Sequence, residues 1–408
     1  MEPLGPARDY SRLEATAFTR TRLSQLTALI VGAGALGNEV IKDFALLGAG
    51  RLVIVDRDHV ELSNLTRSVL FCTPDIGEHI AAGTPKAVFA AARAREINPD
   101  VKVEAIVGEI ADIGLGVIRR ADLVFSCLDN ELARLELSWA CNRMNRPLID
   151  AGLGLVNYSS GQVSVFPGAE GPCYACRKGA QRRREMLEEL QSREDSCAVK
   201  ARVAQAAGMV STTPLMSSAL AAFQVEVALR RWLDPPANVT EGIAHRMTLH
   251  PKPSIETDRF GVSPSCPLHE PASVVRSPKE YPERRSSEWT PRAMFTELGL
   301  ERGFLQFDWP ISAEAVCRGC AHTWQPLVRR ARFRKTVCPA CGSADVAETL
   351  VLDGVDSTSS WADKTLQELG LPAGHVHEIV CGTDADSPRV HVEVTGDLPE
   401  SVRRVPQC

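Results

Sequence analysis

What this chain lacks narrows its chemistry first. Its 408 residues carry a formal net charge of only −5, too small for a global pull on nucleic acid or a membrane surface. No apolar run approaches the roughly 18 residues needed to span a bilayer. The opening residues, Met1 to Pro6, lack a basic stretch followed by an apolar one. No secretory signal is therefore read there, and a cytoplasmic location is expected. Against these absences stand a hydrophobic content of 44% and a charged content of 24%, ordinary for a globular protein. The length allows two or three domains.

Cysteine is not scarce: there are 13. Six of them form three pairs with two residues between, a spacing that in a reducing compartment points to metal rather than to disulfides. The set Cys317, Cys320, Cys338 and Cys341 has the spacing of a zinc ribbon, with Gly319 and Gly342 free to make tight turns. Cys173 and Cys176 form another such pair, and Cys266 and His269 a Cys–His pair of the same spacing. The basic run Arg329 to Lys335 between the ribbon pairs reads as a strand, either a docking surface for an acidic partner or a solvated hairpin, and nucleic acid is not expected there.

Residues 26–150 alternate strands and helices. Strands are expected at Leu26–Val31, Leu52–Asp56, Val101–Val107 and Leu123–Ser126, with helices at Asn38–Leu47 and Lys86–Ile97. That alternation argues a doubly wound α/β sheet of Rossmann-like type. Further strands are expected at Ile149–Leu155 and Gly161–Phe166, then a charged stretch over 177–196 and an apolar helix over 212–233. Residues 271–292, rich in Pro and Ser, read as a linker between a domain at 1–270 and a module at 293–408. Past the ribbon, Glu348–Leu352, Val376–Val380 and Val390–Val394 read as strands and Trp361–Leu369 as a helix, a small α/β appendage.

The most informative local pattern is a glycine loop, Gly32-Ala33-Gly34-Ala35-Leu36-Gly37, closing the first strand. Its glycines allow a tight turn, close approach to a phosphate and helix–strand packing. Asp56, 24 residues after Gly32, lies where a carboxylate meets ribose hydroxyls. An NAD-dependent oxidoreductase would share both features. It would leave Asn64, Arg67, Lys86 and Asp129 without a purpose, whereas a triphosphate with Mg²⁺ needs cations and a carboxylate of this kind.

Read in order, Asp9-Tyr10-Ser11-Arg12, Gly32–Gly37, Asp56-Arg57-Asp58, Ser63-Asn64-Leu65-Thr66-Arg67, Gly83-Thr84-Pro85-Lys86 and Cys127-Leu128-Asp129-Asn130 resemble the ThiF/MoeB/ubiquitin-activating superfamily. Pro172-Cys173-Tyr174-Ala175-Cys176 and Thr212-Thr213-Pro214 continue the likeness. The resemblance implies an adenylyltransferase that uses ATP and Mg²⁺ on the C-terminal carboxylate of a ubiquitin-like protein. It implies that Gly32, Gly34, Gly37, Asp56, Asp58, Asn64, Arg67, Lys86, Asp129 and Arg134 bind the nucleotide and its metal. It implies that Cys173 and Cys176 share a structural zinc with Cys266 and His269, three thiolates and an imidazole, so that two structural zinc ions are expected with that of the ribbon. Arg12 would act across a homodimer. Cys197, in a cation-rich crossover segment, would take the acyl group as a thioester and pass it to a conjugating enzyme. The alternative within the superfamily is activation of a sulfur-carrier protein for thiamin or molybdopterin synthesis. An unrelated alternative is a non-catalytic zinc-binding scaffold.

Overall fold

Every second residue along the first strands points to the same side, and both sides are apolar. In the computed structural model, Ala28 and Ile30 of β1 (Thr27–Val31) join one buried cluster, while Leu29 and Val31 join another. β2 (Arg51–Asp56) divides in the same way, with Leu52 and Ile54 on one side and Val53 and Val55 on the other. A strand buried on both faces must be covered by helices on both. The structure describes residues 8–154, 158–192, 213–236, 240–269, 274–333, 335–382, 387–399 and 402.

The first sheet has eight strands, in the order β3-β2-β1-β4-β5-β6-β7-β8. β3 (Lys102–Val107), β2, β1, β4 (Leu123–Ser126) and β5 (Leu148–Leu153) are parallel. β6 (Ser160–Phe166), β7 (Gly242–Thr248) and β8 (Ser254–Phe260) extend it antiparallel. Helices Ala35–Leu47, Lys86–Ile97 and Pro214–Leu233 supply apolar residues to one face, and Leu115–Arg119 and Glu131–Arg143 to the other. The Rossmann-like expectation is met.

A second, seven-stranded sheet follows. β9 (Lys279–Glu280) pairs in parallel with β15 (Arg389–Glu393), which pairs with β14 (Val376–Val380) and through it with β10 (Phe304–Cys317). β11 (Thr323–Trp324), β12 (Val328–Arg329) and β13 (Val346–Asp356) all pair with β10. Ribbon and appendage thus share one sheet, because β10 runs from the apolar core of the module out to the ribbon ligand Cys317.

Three sequence expectations change here. The Pro- and Ser-rich stretch before residue 292 is packed: β9 joins the second sheet, and Tyr281 and Trp289 are buried in its core. Composition suggested a linker, but two large aromatics outweigh the prolines. Of the described residues of the basic run, only Arg329 belongs to a strand, as the end of β12. Arg330–Phe333 forms one helical turn that buries Phe333 and turns its arginines onto carboxylates of this chain. Finally, only Ser360–Asp363 of the expected Trp361–Leu369 helix is helical, as a 3₁₀ turn. The amides of Leu366 and Gln367 donate instead to the carbonyls of Trp289 and Ser286, so the segment spends its backbone on the neighbouring loop.

The two sheets meet through charge as well as apolar packing. Arg119 and Arg120, at the end of the Leu115–Arg119 helix, pair with Glu280 and Glu393. Arg143 lies 2.9 Å from Glu378 and 3.3 Å from Asp308. His375 accepts from the Leu115 amide through Nδ1 at 3.3 Å and faces Asp308 through Nε2 at 3.0 Å.

Candidate functional site: a nucleotide crevice and two cysteine clusters

The strand order reverses between β1 and β4, and in open sheets of this kind ligands seat outside the C-terminal strand ends at that point. The glycine loop leaves β1 there. Gly32 adopts φ +97°, and a Cβ on it would lie 2.6 Å from the Cys127 carbonyl oxygen. A Cβ on Gly37 would strike the Gly32 carbonyl, so the helix can start this close to the loop only with glycine. A Cβ on Gly34 would meet nothing within 4 Å. Gly34 caps the Ala35–Leu47 helix without a side chain, leaving the first helical amides to face an anion. The buried Asn38 holds the loop in shape, donating to the Ala33 carbonyl at 2.6 Å and accepting from Leu70 at 2.9 Å.

Asp56 ends β2 beside this loop. Its two oxygens accept from the amides of Ala33 (2.6 Å) and Asp58 (2.7 Å). Burial raises its pKa above the usual carboxylate range despite those amides. Lys86, mostly buried at the start of its helix, places Nζ 3.2 Å from an Asp58 oxygen, and its amide donates to the Asp58 carbonyl. The Asp56–Asp58 turn and the Lys86 helix are thereby pinned together. Asp129, in the loop after β4, is exposed and close enough to Arg57 to act on its charge.

Other residues singled out by the sequence have local partners. Asn64 is buried and accepts from the Glu61 amide at 3.0 Å, closing a capping box. Arg67 donates to the Ser63 carbonyl at 2.6 Å. Arg134 is committed to Asp150, with contacts of 2.7 and 2.8 Å, and to the Leu128 carbonyl. It therefore holds the Asp129 loop against β5. Arg12 is exposed in the Ser11–Glu14 helix, and among the described residues no hydrogen bond or ion pair joins it to the crevice. Cys197 lies outside the described residues. Cys127, at the crevice floor, is no substitute nucleophile: burial pushes its thiol up to about 12.

Three supporting residues were given no role in the sequence reading. Asp150 anchors Arg134. Gln224 is buried and donates to the Ile149 carbonyl at 2.9 Å, tying the Pro214–Leu233 helix under the crevice. Arg57 contacts Asp58 at 3.6 Å and Glu109 at 2.7 Å. Its signal was visible, a cation between two aspartates in Asp56-Arg57-Asp58.

Both expected cysteine sets assemble. In the first, Cys173 lies 3.8 Å from Cys176 and 3.6 Å from Cys266, and the Cys176 sulfur is 3.2 Å from His269 Nε2. In the second, Cys317 and Cys341 are 3.6 Å apart and Cys320 and Cys338 are 3.7 Å apart. A disulfide would need about 2.05 Å. Thiolates at about 2.3 Å from a tetrahedral centre would sit about 3.8 Å apart. Within each set the ligand atoms lie within 4.8 Å of one another, and donor type and spacing fit zinc in both. His269 Nδ1 lies 3.4 Å from the Asn142 side-chain amide, and its Nε2 faces the cluster at the Cys176 sulfur.

Comparison with known proteins follows this geometry. A sulfur carrier protein adenylyltransferase of Thermus thermophilus is 38% identical over 161 residues, covering 38% of this chain and 56% of that protein. Ubiquitin-like modifier-activating enzyme 5 of Drosophila ananassae is 29% identical over 301 residues, covering 69% of each chain. The chain spans little more than half the length of the first of these relatives. A crystal structure of E. coli MccB is 19% identical and overlaps 67% of this chain and 75% of its own, at a TM-score of 0.49. Among the described residues no helix is long and apolar enough to cross a membrane. The model of the ThiF family matches residues 10–267, from the segment before β1 through the Cys266 ligand, and the chain belongs to that family.

Proposed function

We propose that this protein is an ATP-dependent adenylyltransferase acting on the C-terminal carboxylate of a ubiquitin-fold protein. The observation that carries the reading is the crevice at the β1–β4 reversal. There a glycine-capped helix start follows β1, Lys86 is pinned to the turn after β2, and the exposed Asp129 follows β4. The attacking carboxylate is already ionised near neutral pH, so no side-chain base is required. Catalysis then rests on alignment and charge cancellation at the α-phosphate. Asp129 is assigned to Mg²⁺, Lys86 and Arg67 to the phosphates, and Asp56 to the ribose. The products are the carrier acyl-adenylate and pyrophosphate.

The names of the relatives support two kinds of partner, a sulfur carrier and a ubiquitin-like modifier. Conjugation through a Cys197 thioester is the first reading, sulfur-carrier activation the second. Both share the adenylation step. The two cysteine sets are assigned to structural zinc, and Arg12 to a partner subunit's nucleotide in a homodimer. Incubation with ATP, Mg²⁺ and candidate carriers, followed by intact-mass measurement, tests the reading. A carrier heavier by one adenylyl group supports it; nucleotide hydrolysis with every carrier unmodified would sink it.

A further inference from the structure

We propose that Arg57 is a positioning residue for the nucleotide crevice, held in place by the zinc-ribbon module through a relay that runs Arg332–Glu109–Arg57. The inference rests on the adenylation reading for the role of the crevice, but the relay is a feature of this chain's own two sheets. Arg57 sits between the crevice aspartates Asp56 and Asp58, with Nε 3.6 Å from Asp58 and with Asp129 near enough to act on it. Its Nη1 donates to Glu109 at 2.7 Å. The other Glu109 oxygen takes Arg332 at 3.3 Å, and Arg332 also donates to Asp112 at 2.6 Å. Arg332 belongs to the helical turn between the two cysteine pairs of the ribbon, a turn anchored by the buried Phe333.

One carboxylate, Glu109, is therefore shared by two guanidinium groups from different sheets. Burial would raise its pKa, yet Arg57 and Arg332 together leave it below the usual carboxylate range. The consequence is a division of charge. While Arg332 neutralises part of Glu109, the Arg57 cation remains available to Asp58 and Asp129, next to the place assigned to the triphosphate. Without Arg332, Glu109 claims Arg57 alone, and the crevice becomes more negative. A polyanion should then bind less well. The basic run that the sequence offered as a docking surface for an acidic partner finds its acidic partner within the chain.

Titration of the full-length protein with ATP and Mg²⁺, without any carrier, tests the relay. Arg332→Met should raise the Kd about two- to fivefold, the range for an exposed ion pair. Arg57→Met should raise it at least as much, and Arg57→Met/Arg332→Met no further than Arg57→Met alone. Arg332→Lys, which keeps the charge, should recover part of the loss. A merely structural Arg332 would lower the unfolding midpoint without touching Kd, and that outcome overturns the proposal. So does a double variant whose loss is the product of the two single losses. Failure of the wild-type protein to bind ATP at all would instead overturn the adenylation reading, and the inference with it.

Discussion

Two clusters of charge in this molecule are built from the same residue types and do opposite things. Between the sheets, Arg120 and Glu393 are almost wholly buried and paired, and Arg143 sits among Glu378 and Asp308. In the crevice, Asp58 and Asp129 are exposed, and Asp58 shares Lys86 and Arg57 at 3.2 and 3.6 Å. Buried charges whose partners are fixed cannot take up a ligand. Exposed charges gathered at a strand-order reversal can. The contrast separates the groups that hold the fold from those left open to a ligand.

The largest expected effect falls on the holding cluster. Arg120→Met leaves Glu393 and Glu280 with Arg119 alone, and breaking a buried pair costs about 3–5 kcal/mol. Chemical denaturation should show that loss, while nucleotide binding at low temperature stays near wild type. Asp129→Ala should do the reverse. Loss of one transition-state electrostatic contact costs about 2.7–4 kcal/mol, or roughly 10²–10³ in rate, whereas an exposed substitution moves stability by about 0.5 kcal/mol or less. If both variants lost stability and rate alike, the separation of the two clusters would be wrong.

Acid should find the holding cluster too. His377 is buried against His375, and burial drops its pKa well below 6.5. It folds neutral and must charge on unfolding at low pH, so its contribution is present above about 6.5 and is lost as pH falls below it. Burial pushes Glu378 up, but bonds from His391 and Arg143 bring it down to about 2. Its contribution is present above about 4.3 and is lost as pH falls towards 2. The thermal midpoint should therefore fall in two steps on acidification. His377→Phe should remove the first step, and a single step in wild type would show that the buried imidazole does not contribute.

The smallest effect is expected at the ribbon. Cys320 and Cys341 are exposed, whereas Cys173 and Cys266 belong to the core beneath the parallel sheet. Cys338→Ser should remove one of two zinc ions per chain. It should raise the KM for ATP by no more than about two- to fivefold, the worth of one exposed pair, and leave kcat unchanged. Cys173→Ser should also remove one zinc ion but destabilise the whole domain, since a structural metal contributes to folding. Equal losses of stability in the two variants would mean that the ribbon is as central as the core site.

The difference between the clusters also explains what could be read in advance. The Rossmann-like sheet was legible because β1 and β2 are apolar runs bounded by glycine and aspartate. The ribbon was legible because its ligand spacing is local, whereas Cys173 and Cys176 were joined to Cys266 and His269, 93 residues on, through the family resemblance. Asp56, Lys86 and Asp129 were singled out by motifs that resemble the superfamily, and the structure sets Asp56 at the end of β2, Asp129 just after β4 and Lys86 at the start of a helix. Arg119, Arg120 and Arg143 carried none. Each is an ordinary helix-end cation until a glutamate some 160 to 274 residues away folds onto it. Trp361–Leu369 misled for the same reason: its helical composition lost to backbone bonds with residues 286–289, which no local pattern encodes.

The central claim is that the crevice activates a carboxylate carried by another protein. Exchange of labelled pyrophosphate into ATP, measured with a ubiquitin-fold carrier whose C-terminus is either free or amidated, addresses it directly. The account predicts exchange with the free carboxylate alone, slowed roughly 10²–10³-fold by Asp129→Ala. Equal exchange with the amidated carrier, or with no carrier, would contradict it.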